Sequence, residues 1–168
     1  MTIHTHVRFR QYLLLLFTLA YRKPLMWVIV FTGLSMWVWI AGYYTGLVEV
    51  PEPLIYQYIT AILITLLQPT FIYFTVWQNY YSSAPLQEPV VITFTPECIK
   101  MRGMSFYTEL VWDKLFKVVE LKHWYLVYQN TLSAVIIPKS AFKKGEIEQF
   151  AELVSAVPGL STKLKKEL

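Results

Sequence analysis

Few residues of this 168-residue chain have the types and spacing that metal or thiol chemistry needs. Its histidines are His4, His6 and His123, and its single cysteine is Cys98. A zinc site needs three or four converging ligands, and these residues are too few and too scattered to supply them. Cys98 falls on a predicted strand, where a lone cysteine usually acts as a small buried hydrophobe. We therefore expect no metal site and no disulfide within the chain.

Paired carboxylates are the other constellation that could do chemistry. Glu109, Asp113 and Glu120 could supply a general acid and base, but they lie near the ends of predicted strands, where solvated surface positions are favoured. The sequence also contains no glycine-rich phosphate loop, nucleophile elbow or zincin motif. These observations predict a protein that is not an enzyme, with no catalytic residue and no cofactor.

Lysines form two groups, one on each side of a predicted C-terminal helix. Beneath an anionic leaflet, each lysine near the surface gains about 1 kcal/mol. The groups therefore predict a contact with anionic lipid or with a partner, and ordinary solubility charge is the equally weighted alternative because three glutamates of the helix offset them. A net charge of only +4 predicts no nucleic-acid partner. The lysines are Lys139, Lys143, Lys144, Lys163, Lys165 and Lys166.

The charged residues are distributed very unevenly along the chain. Of the 26 Lys, Arg, Asp and Glu residues, six lie in residues 1–77 and twenty in residues 78–168. Residues 24–48 and 53–87 contain no charge at all. Because about 20 apolar helical residues span a bilayer, this pattern excludes a simple soluble enzyme and a disordered protein.

The apolar half predicts a transmembrane helical hairpin, with helices at 25–45 and 54–77 and an extracytoplasmic loop at 46–53. Residues 1–24 are expected to form an N-terminal cytoplasmic or interfacial helix rather than a cleaved signal peptide. The flanking residues Arg8, Arg10, Arg22 and Lys23 place both termini in the cytoplasm by the positive-inside rule, since the loop carries only glutamates.

Gln68 and Pro69 are the polar interruption of the second predicted span. Proline removes the N–H that would bond the Thr65 carbonyl, and the Gln68 amide could satisfy that acceptor or one on a facing helix. A kink with a polar fastening is the favoured interpretation, because neither span contains an ionisable residue of the kind that marks ion transport. A transport pathway is the alternative.

Residues 78–168 have the pattern of a small folded domain. Short runs of alternating apolar and polar residues predict antiparallel strands at 90–95, 97–102, 106–112, 117–122, 124–129 and 132–137. An amphipathic helix follows at 145–157 and ends at Pro158-Gly159. The fold class is therefore an α+β membrane protein, a helical hairpin followed by an antiparallel sheet domain of pleckstrin-homology-like outline with a C-terminal amphipathic helix.

Three segments of this domain resemble the YcxB-like family of bacterial membrane proteins. They are residues 112–120, 124–128 and 136–142, and Phe150 of the helix completes the pattern. The resemblance implies two transmembrane helices and a small cytoplasmic domain similar to pleckstrin-homology domains, in the bacterial inner membrane. It implies no catalytic residue.

The leading functional hypothesis is a non-enzymatic inner-membrane protein whose cytoplasmic domain binds a protein, a peptide or a lipid headgroup. The alternatives are immunity to a bacteriocin or toxin, and a small transporter or channel subunit acting through Gln68 and Pro69. A homo-oligomer is compatible with each of these. The two-part organisation also predicts that the chain without residues 1–80 folds as a soluble domain.

Overall fold

A computed structural model describes residues 1–46, 49–131 and 133–163 of the chain. These residues divide into two compact units. One is the helical segment Arg8–Ser82, and the other combines Met1–Val7 with the chain from Ser83 onwards. The division therefore does not follow the order of the chain, because the helical unit lies between two parts of the other one.

Two long helices dominate the helical unit, and both are long and apolar enough to cross a membrane. They comprise 22 and 27 residues with a mean hydropathy of 1.8. The first begins with Pro24 and ends at Gly46, which has a φ of 64° and so adopts the left-handed conformation typical of a helix C-terminus. The helices are α1 (Phe9–Tyr21), α2 (Pro24–Thr45), α3 (Ile55–Ile62) and α4 (Gln68–Tyr81), with the π-helical turn Leu63–Leu67 joining α3 to α4.

Most apolar side chains of the long helices point outward. Phe31, Val38 and Phe71 are 62%, 72% and 75% exposed, whereas Gly33 and Ala61 are buried. The shorter α1 packs on α4, where the Phe9 ring centroid lies 5.3 Å from that of Tyr80. A helix in the core of a soluble protein usually buries such side chains.

The strands of the second unit form two sheets. One sheet has the order β1-β2-β3-β4 and is antiparallel throughout. The other has the order β7-β6-β5-β8, in which β8 is parallel to β5. The strands are β1 (Thr2–Thr5), β2 (Val90–Phe94), β3 (Cys98–Arg102), β4 (Tyr107–Val111), β5 (Lys117–Glu120), β6 (Trp124–Tyr128), β7 (Ala134–Pro138) and β8 (Ser161–Lys163).

The strand β1 is the main departure from the sequence prediction. Residues 1–24 do not form one helix, since Thr2–Thr5 pairs with β2 and only Phe9–Tyr21 is helical. The reason is the alternation of the first residues, in which Ile3 is buried in the core of the second unit while His4 is exposed. The chain without residues 1–80 therefore lacks one strand, and the prediction that it folds needs revision.

The second unit also contains two helices, the short α5 (Ala84–Gln87) and the C-terminal α6 (Glu146–Ser155). An aromatic cluster joins α6 to both sheets. Phe150 is fully buried, and its ring centroid lies 5.0 Å from Phe94 of one sheet and 4.8 Å from Tyr125 of the other. Phe142 packs against the same ring at 5.4 Å. Burial of several such rings dominates the energy of a small core, so α6 holds the two sheets together.

The remaining strand predictions agree closely with the structure. Each predicted run overlaps one of the strands β2 to β7, and the helix predicted at 145–157 overlaps α6. Gly145, with a φ of 87°, directly precedes this helix. The short strand β8 was not predicted, because its parallel pairing with β5 follows a turn at Pro158-Gly159 rather than a local hairpin.

Candidate functional site

The lysine set predicted to contact lipid or a partner is divided by the structure. Lys139 forms an ion pair with Glu120, and both side chains are mostly buried. Its ammonium also lies 5.0 Å from the ring centroid of Tyr125, close enough for a cation–π interaction. Lys139 is therefore bound within the sheet unit rather than free for a ligand.

Lys143 and Lys144 are the members of the set that the structure leaves exposed. They precede α6, and the Lys143 backbone N–H donates a hydrogen bond to Glu146 Oε2 at 2.7 Å. Lys163 is the last residue of β8, opposite Val119 of β5. Lys165 and Lys166 lie outside the described residues. Of the six lysines in the predicted set, Lys143 and Lys144 are neighbours and both are exposed, so they form an accessible positive pair.

Gln68 and Pro69, the predicted polar interruption of the second apolar helix, directly follow the π-helical turn Leu63–Leu67. The Gln68 side-chain amide donates to Met26 Sδ on α2 at 3.6 Å. The amide thus contacts the facing helix instead of the Thr65 carbonyl. This geometry is a polar fastening between helices next to a proline distortion.

Two further polar contacts link the long helices. Trp37 Nε1 donates to Thr65 Oγ1 at 2.9 Å, and the hydroxyls of Tyr44 and Tyr58 lie 3.1 Å apart. The sequence analysis did not predict these contacts. Their partners depend on the relative rotation of two helices, which composition does not define.

A carboxylate clamp that the sequence analysis missed holds the tip of the β3–β4 hairpin. Glu88 Oε2 accepts hydrogen bonds from the backbone N–H groups of Met104 at 2.7 Å and Ser105 at 2.9 Å. The Ser105 hydroxyl donates to Oε1. These bonds, led by that of the Ser105 hydroxyl, lower the pKa of Glu88. No local pattern indicates the clamp, because its partners lie 16 and 17 residues away.

Glu88→Gln is expected to loosen the hairpin tip and lower thermal stability at neutral pH. Because the pKa of Glu88 is depressed on folding, its contribution is present above the unfolded pKa and is lost as the pH falls through the folded value. Melting temperatures of the two proteins, measured from neutral to acidic pH, should therefore converge in acid.

Glu97→Gln is the matched control. Glu97 is exposed, and its carboxylate makes no hydrogen bond or ion pair within the part of the chain that the structure describes. Its melting temperature should stay close to that of the unsubstituted protein at every pH. The clamp would be contradicted if the difference in melting temperature between the Glu88→Gln variant and the unsubstituted protein stayed constant down to strong acid.

Two of the three candidate catalytic carboxylates are engaged separately. Glu109 accepts a hydrogen bond from the Tyr107 hydroxyl and lies 3.5 Å from Lys100 Nζ, while Glu120 is paired with Lys139. The Tyr107 hydrogen bond and then Lys100 lower the pKa of Glu109. The third, Asp113, is exposed and has no hydrogen bond or ion pair among the described residues. The partners of Glu109 and Glu120 are different residues, an arrangement that stabilises strands.

The histidines and the cysteine also remain apart. Among the described residues, no group of three or more His, Cys, Asp or Glu side chains is placed to hold a metal ion. Cys98 is buried beside Thr95, whose hydroxyl lies 3.4 Å from its sulfur. The Trp112 indole N–H bonds the Thr95 carbonyl at 2.8 Å, so this corner is a structural fastening between β2, β3 and the end of β4.

A shallow cavity of about 460 Å³ lies between α6 and the outer ends of β1 and β2. Met1, Phe94 and Leu153 form apolar walls, and Gln149 and Glu152 add polar groups. The volume is in the range of small-molecule sites, and the cavity is open, with the side chains of Gln149 and Glu152 both exposed.

The helices and sheets define a class of protein. Its members combine a helical hairpin of membrane-spanning length with a small unit of two sheets and a helix. Residues 94–154 match the family of YcxB-like proteins. The predicted resemblance is thus confirmed from the end of β2 into α6, while β1 and the membrane-length helices lie outside the matching segment. Comparisons with curated proteins and with solved structures give no match.

Proposed function

We propose that this protein is a non-enzymatic bacterial inner-membrane protein that holds a recognition unit at the cytoplasmic face. The outward-facing apolar side chains of α2 and of the helix Ile55–Tyr81 are the observation that carries the proposal. An uncovered surface of this kind is unfavourable in water, and lipid would cover it. The sheet unit would bind a protein, a peptide or a lipid headgroup.

The pairing of β1 with β2 supports a topology in which the two ends of the hairpin are on the same side of the bilayer. The chain leaves the sheet after Thr5, forms the helical unit and returns at Val90, which is opposite Thr5 in the register. A segment that starts and ends at neighbouring strands crosses a bilayer an even number of times. With Arg8, Arg10, Arg22 and Lys23 near the helix starts, the positive-inside rule favours the cytoplasm for the sheet unit.

We further propose that the sheet unit is pleckstrin-homology-like. The antiparallel succession β1 to β4, then β5 to β7 and a closing helix α6, supports this. In this interpretation the membrane hairpin is an insertion between the first two strands of the fold. The recognition unit would then be attached to the membrane at two points, which restricts its rotation more than a single linker does.

Site-directed labelling tests the orientation. In a Cys98→Ala background, Glu52→Cys should react with a membrane-impermeant thiol reagent added to intact cells. Lys144→Cys should react only after the membrane is permeabilised, and it is a better probe than Lys139, because Lys144 is exposed whereas Lys139 is paired with Glu120. The reverse labelling pattern would rule out a cytoplasmic recognition unit.

A further inference from the structure

The two sheets differ in their outer faces, the sides that point away from the aromatic core. On the first sheet, β1 to β4, the middle of this face is polar. The hydroxyl oxygens of Thr2 and Thr93 lie 3.2 Å apart, and Lys100 Nζ lies 3.5 Å from Glu109 Oε1. An antiparallel sheet with one solvated face normally carries polar side chains there. The first sheet follows this rule.

The outer face of the second sheet, β5 to β8, is apolar instead. Val119, Leu126 and Ile136 are directly opposite one another on β5, β6 and β7. None of the three belongs to the described core cluster around Phe150, which contains the alternate residues of these strands, such as Val127. Leu126 is 2% exposed, and its two neighbours are partly exposed. The three side chains therefore form an apolar row on the side of the sheet turned away from the core.

Aromatic rings extend this row. Trp124 and Tyr128 are the first and last residues of β6, and both are partly exposed. Phe116 donates its backbone N–H to the Tyr128 carbonyl at 2.8 Å, and its side chain is 48% exposed. Because every residue of β6 is apolar or aromatic, the strand has the pattern of one that is covered on both faces. The outer apolar face is defined as Val119, Trp124, Leu126, Tyr128 and Ile136, with Phe116 at its margin.

The free charges around the outer apolar face are positive. Lys117 is opposite Tyr128, and its ammonium lies 4.7 Å from the Tyr128 ring centroid. Lys122 is exposed in the turn between β5 and β6. Glu120 is the only acidic residue in the sequence from β5 to β7, and it is paired with Lys139. An apolar surface flanked by lysines is complementary to a partner that combines apolar and acidic side chains.

The dimensions of the outer apolar face match those of a single helix. β5 and β7 are two strand spacings apart, which is about 10 Å, and the five residues of β6 extend over about 13 Å. An α-helix with its side chains is about 10 Å in diameter. Helices and sheets cover the face of a sheet, whereas an extended peptide pairs with its edge. The face therefore fits one amphipathic helix.

We propose that the outer apolar face binds an amphipathic helix of a partner protein. The apolar stripe of that helix packs on Leu126, and its acidic residues lie beside Lys117 and Lys122. This partner would be the one that the recognition unit of the proposed function binds, so the inference rests on that function.

The chain itself does not supply such a helix. Two copies packed through this face would bring together surfaces with charges of the same sign, which is unfavourable. Among the described α-helices, only α6 carries acidic residues. The apolar side of α6 is already buried in the core, where Phe150 and Val154 are fully buried. The occupant is therefore a different protein.

The first experiment tests whether the outer apolar face is open in the full chain, reconstituted in phosphatidylcholine nanodiscs. In a Cys98→Ala background, Ile136→Cys is compared with Thr93→Cys, its counterpart on the outer face of the first sheet. Both native side chains are partly exposed. The two thiols should react with a maleimide at similar rates. Protection of position 136 alone would mean that the protein covers this face itself, and the proposal would be wrong.

The second experiment measures binding of a defined peptide to the same nanodiscs, with empty nanodiscs as the background. The probe is a fluorescein-labelled peptide with one stripe of leucines flanked by glutamates. Its length is about 15 residues, at which an isolated helix becomes stable. The control peptide has lysines in place of the glutamates. The glutamate peptide should bind saturably and about tenfold more tightly than the lysine peptide, and raising the salt concentration should weaken its binding.

Variants of the full chain locate the binding. Ile136→Glu places an acid in the apolar row and should weaken binding of the glutamate peptide by about tenfold or more. Thr93→Glu, on the outer face of the first sheet, is the matched control and should leave the affinity unchanged. Lys117→Glu keeps the apolar row and should weaken binding several-fold, so the proposal remains testable if Ile136→Glu fails to fold.

Absence of saturable binding, equal binding of the two peptides, or equal effects of Ile136→Glu and Thr93→Glu would overturn the proposal. Dimers of the full chain that disappear in Ile136→Glu would show a second copy to be the occupant instead. The orientation labelling tests the proposed function separately. A reversed labelling pattern contradicts that function alone, whereas peptide binding that persists in both Ile136→Glu and Lys117→Glu contradicts this inference alone.

Discussion

Deleting residues 1–7 from the isolated sheet unit, which leaves residues 83–168, is expected to unfold most of it. The deletion removes β1 with its four residue pairs to β2, and it removes Ile3, which is 2% exposed. Loss of one buried isoleucine side chain costs about 2–5 kcal/mol, and domains of this size are stable by about 5–15 kcal/mol. The loss of a complete strand also leaves an unpaired sheet edge at β2. Heteronuclear NMR of residues 83–168 should therefore give poorly dispersed spectra.

Restoring β1 to residues 83–168, without the helical unit Arg8–Ser82, should restore the fold of the sheet unit. In this variant, residues 1–7 are joined to residue 83 through a flexible Gly/Ser linker, which is possible because Thr5 and Val90 are neighbours in the sheet. A His4→Ser change in the same variant is the matched control, since His4 is exposed on the outer face of β1. Both linked proteins should show dispersed spectra and a cooperative thermal transition.

The outcome for the unlinked fragment decides whether β1 belongs to the domain. If residues 83–168 alone had the same spectrum and melting temperature as the linked protein, β1 would be dispensable. The original two-part organisation, with the membrane segment simply preceding the domain, would then be correct.

Gly33→Ala is expected to separate the long helices and destabilise the helical unit. A Cβ at Gly33 would lie 2.6 Å from Cγ2 and 3.2 Å from Cβ of Ile64. Ile64 is β-branched and has little freedom to rotate away in a helix. Overpacking of this kind costs about 1–3 kcal/mol. The melting temperature in detergent should fall, and the nearby Trp37–Thr65 hydrogen bond should weaken, which a change in tryptophan fluorescence would report.

Gly42→Ala is the matched control on the same helix. A Cβ there would meet only Val50 Cγ2 at 3.9 Å, an ordinary contact, and alanine favours the helix. Ile64→Ala should rescue Gly33→Ala, so a double-mutant cycle should give a favourable coupling energy. Equal effects of Gly33→Ala and Gly42→Ala, with no rescue, would contradict the close contact between these helices.

The strands β2 to β7 and the helix α6 could be predicted because their signals are local. Alternation over a few residues, such as that of Val90–Phe94, places one face in the core whatever the partner strand is. The apolar face of α6 is equally local, and it centres on Phe150. Long uncharged runs predicted the two membrane-length helices for the same reason, because the composition of a segment is enough to recognise such a helix.

The Glu88 clamp and the fate of Lys139 could not be predicted in this way. Glu88 precedes a strand and has no distinctive neighbours, and its partners become close only when β2, β3 and β4 are paired. Lys139 belongs to a run of lysines that indicates an exposed patch. Its pairing with Glu120 follows from strand order, because β6 lies between β5 and β7. Tyr125 of β6 is opposite Glu120 in the register, and the ammonium of Lys139, which follows β7, lies 5.0 Å from the Tyr125 ring centroid.

The sequence by itself determined the apolar hairpin, the antiparallel strands, the amphipathic helix and the resemblance to YcxB-like proteins. Only the tertiary structure decided that the hairpin lies, in chain order, between two segments of the sheet unit. The first residues do alternate, with Ile3 and Val7 buried and His4 exposed, but a four-residue strand has no local partner. Thr2 meets Thr93, 91 residues away, and pairing over that distance is defined by closure of the sheet and not by neighbouring residues.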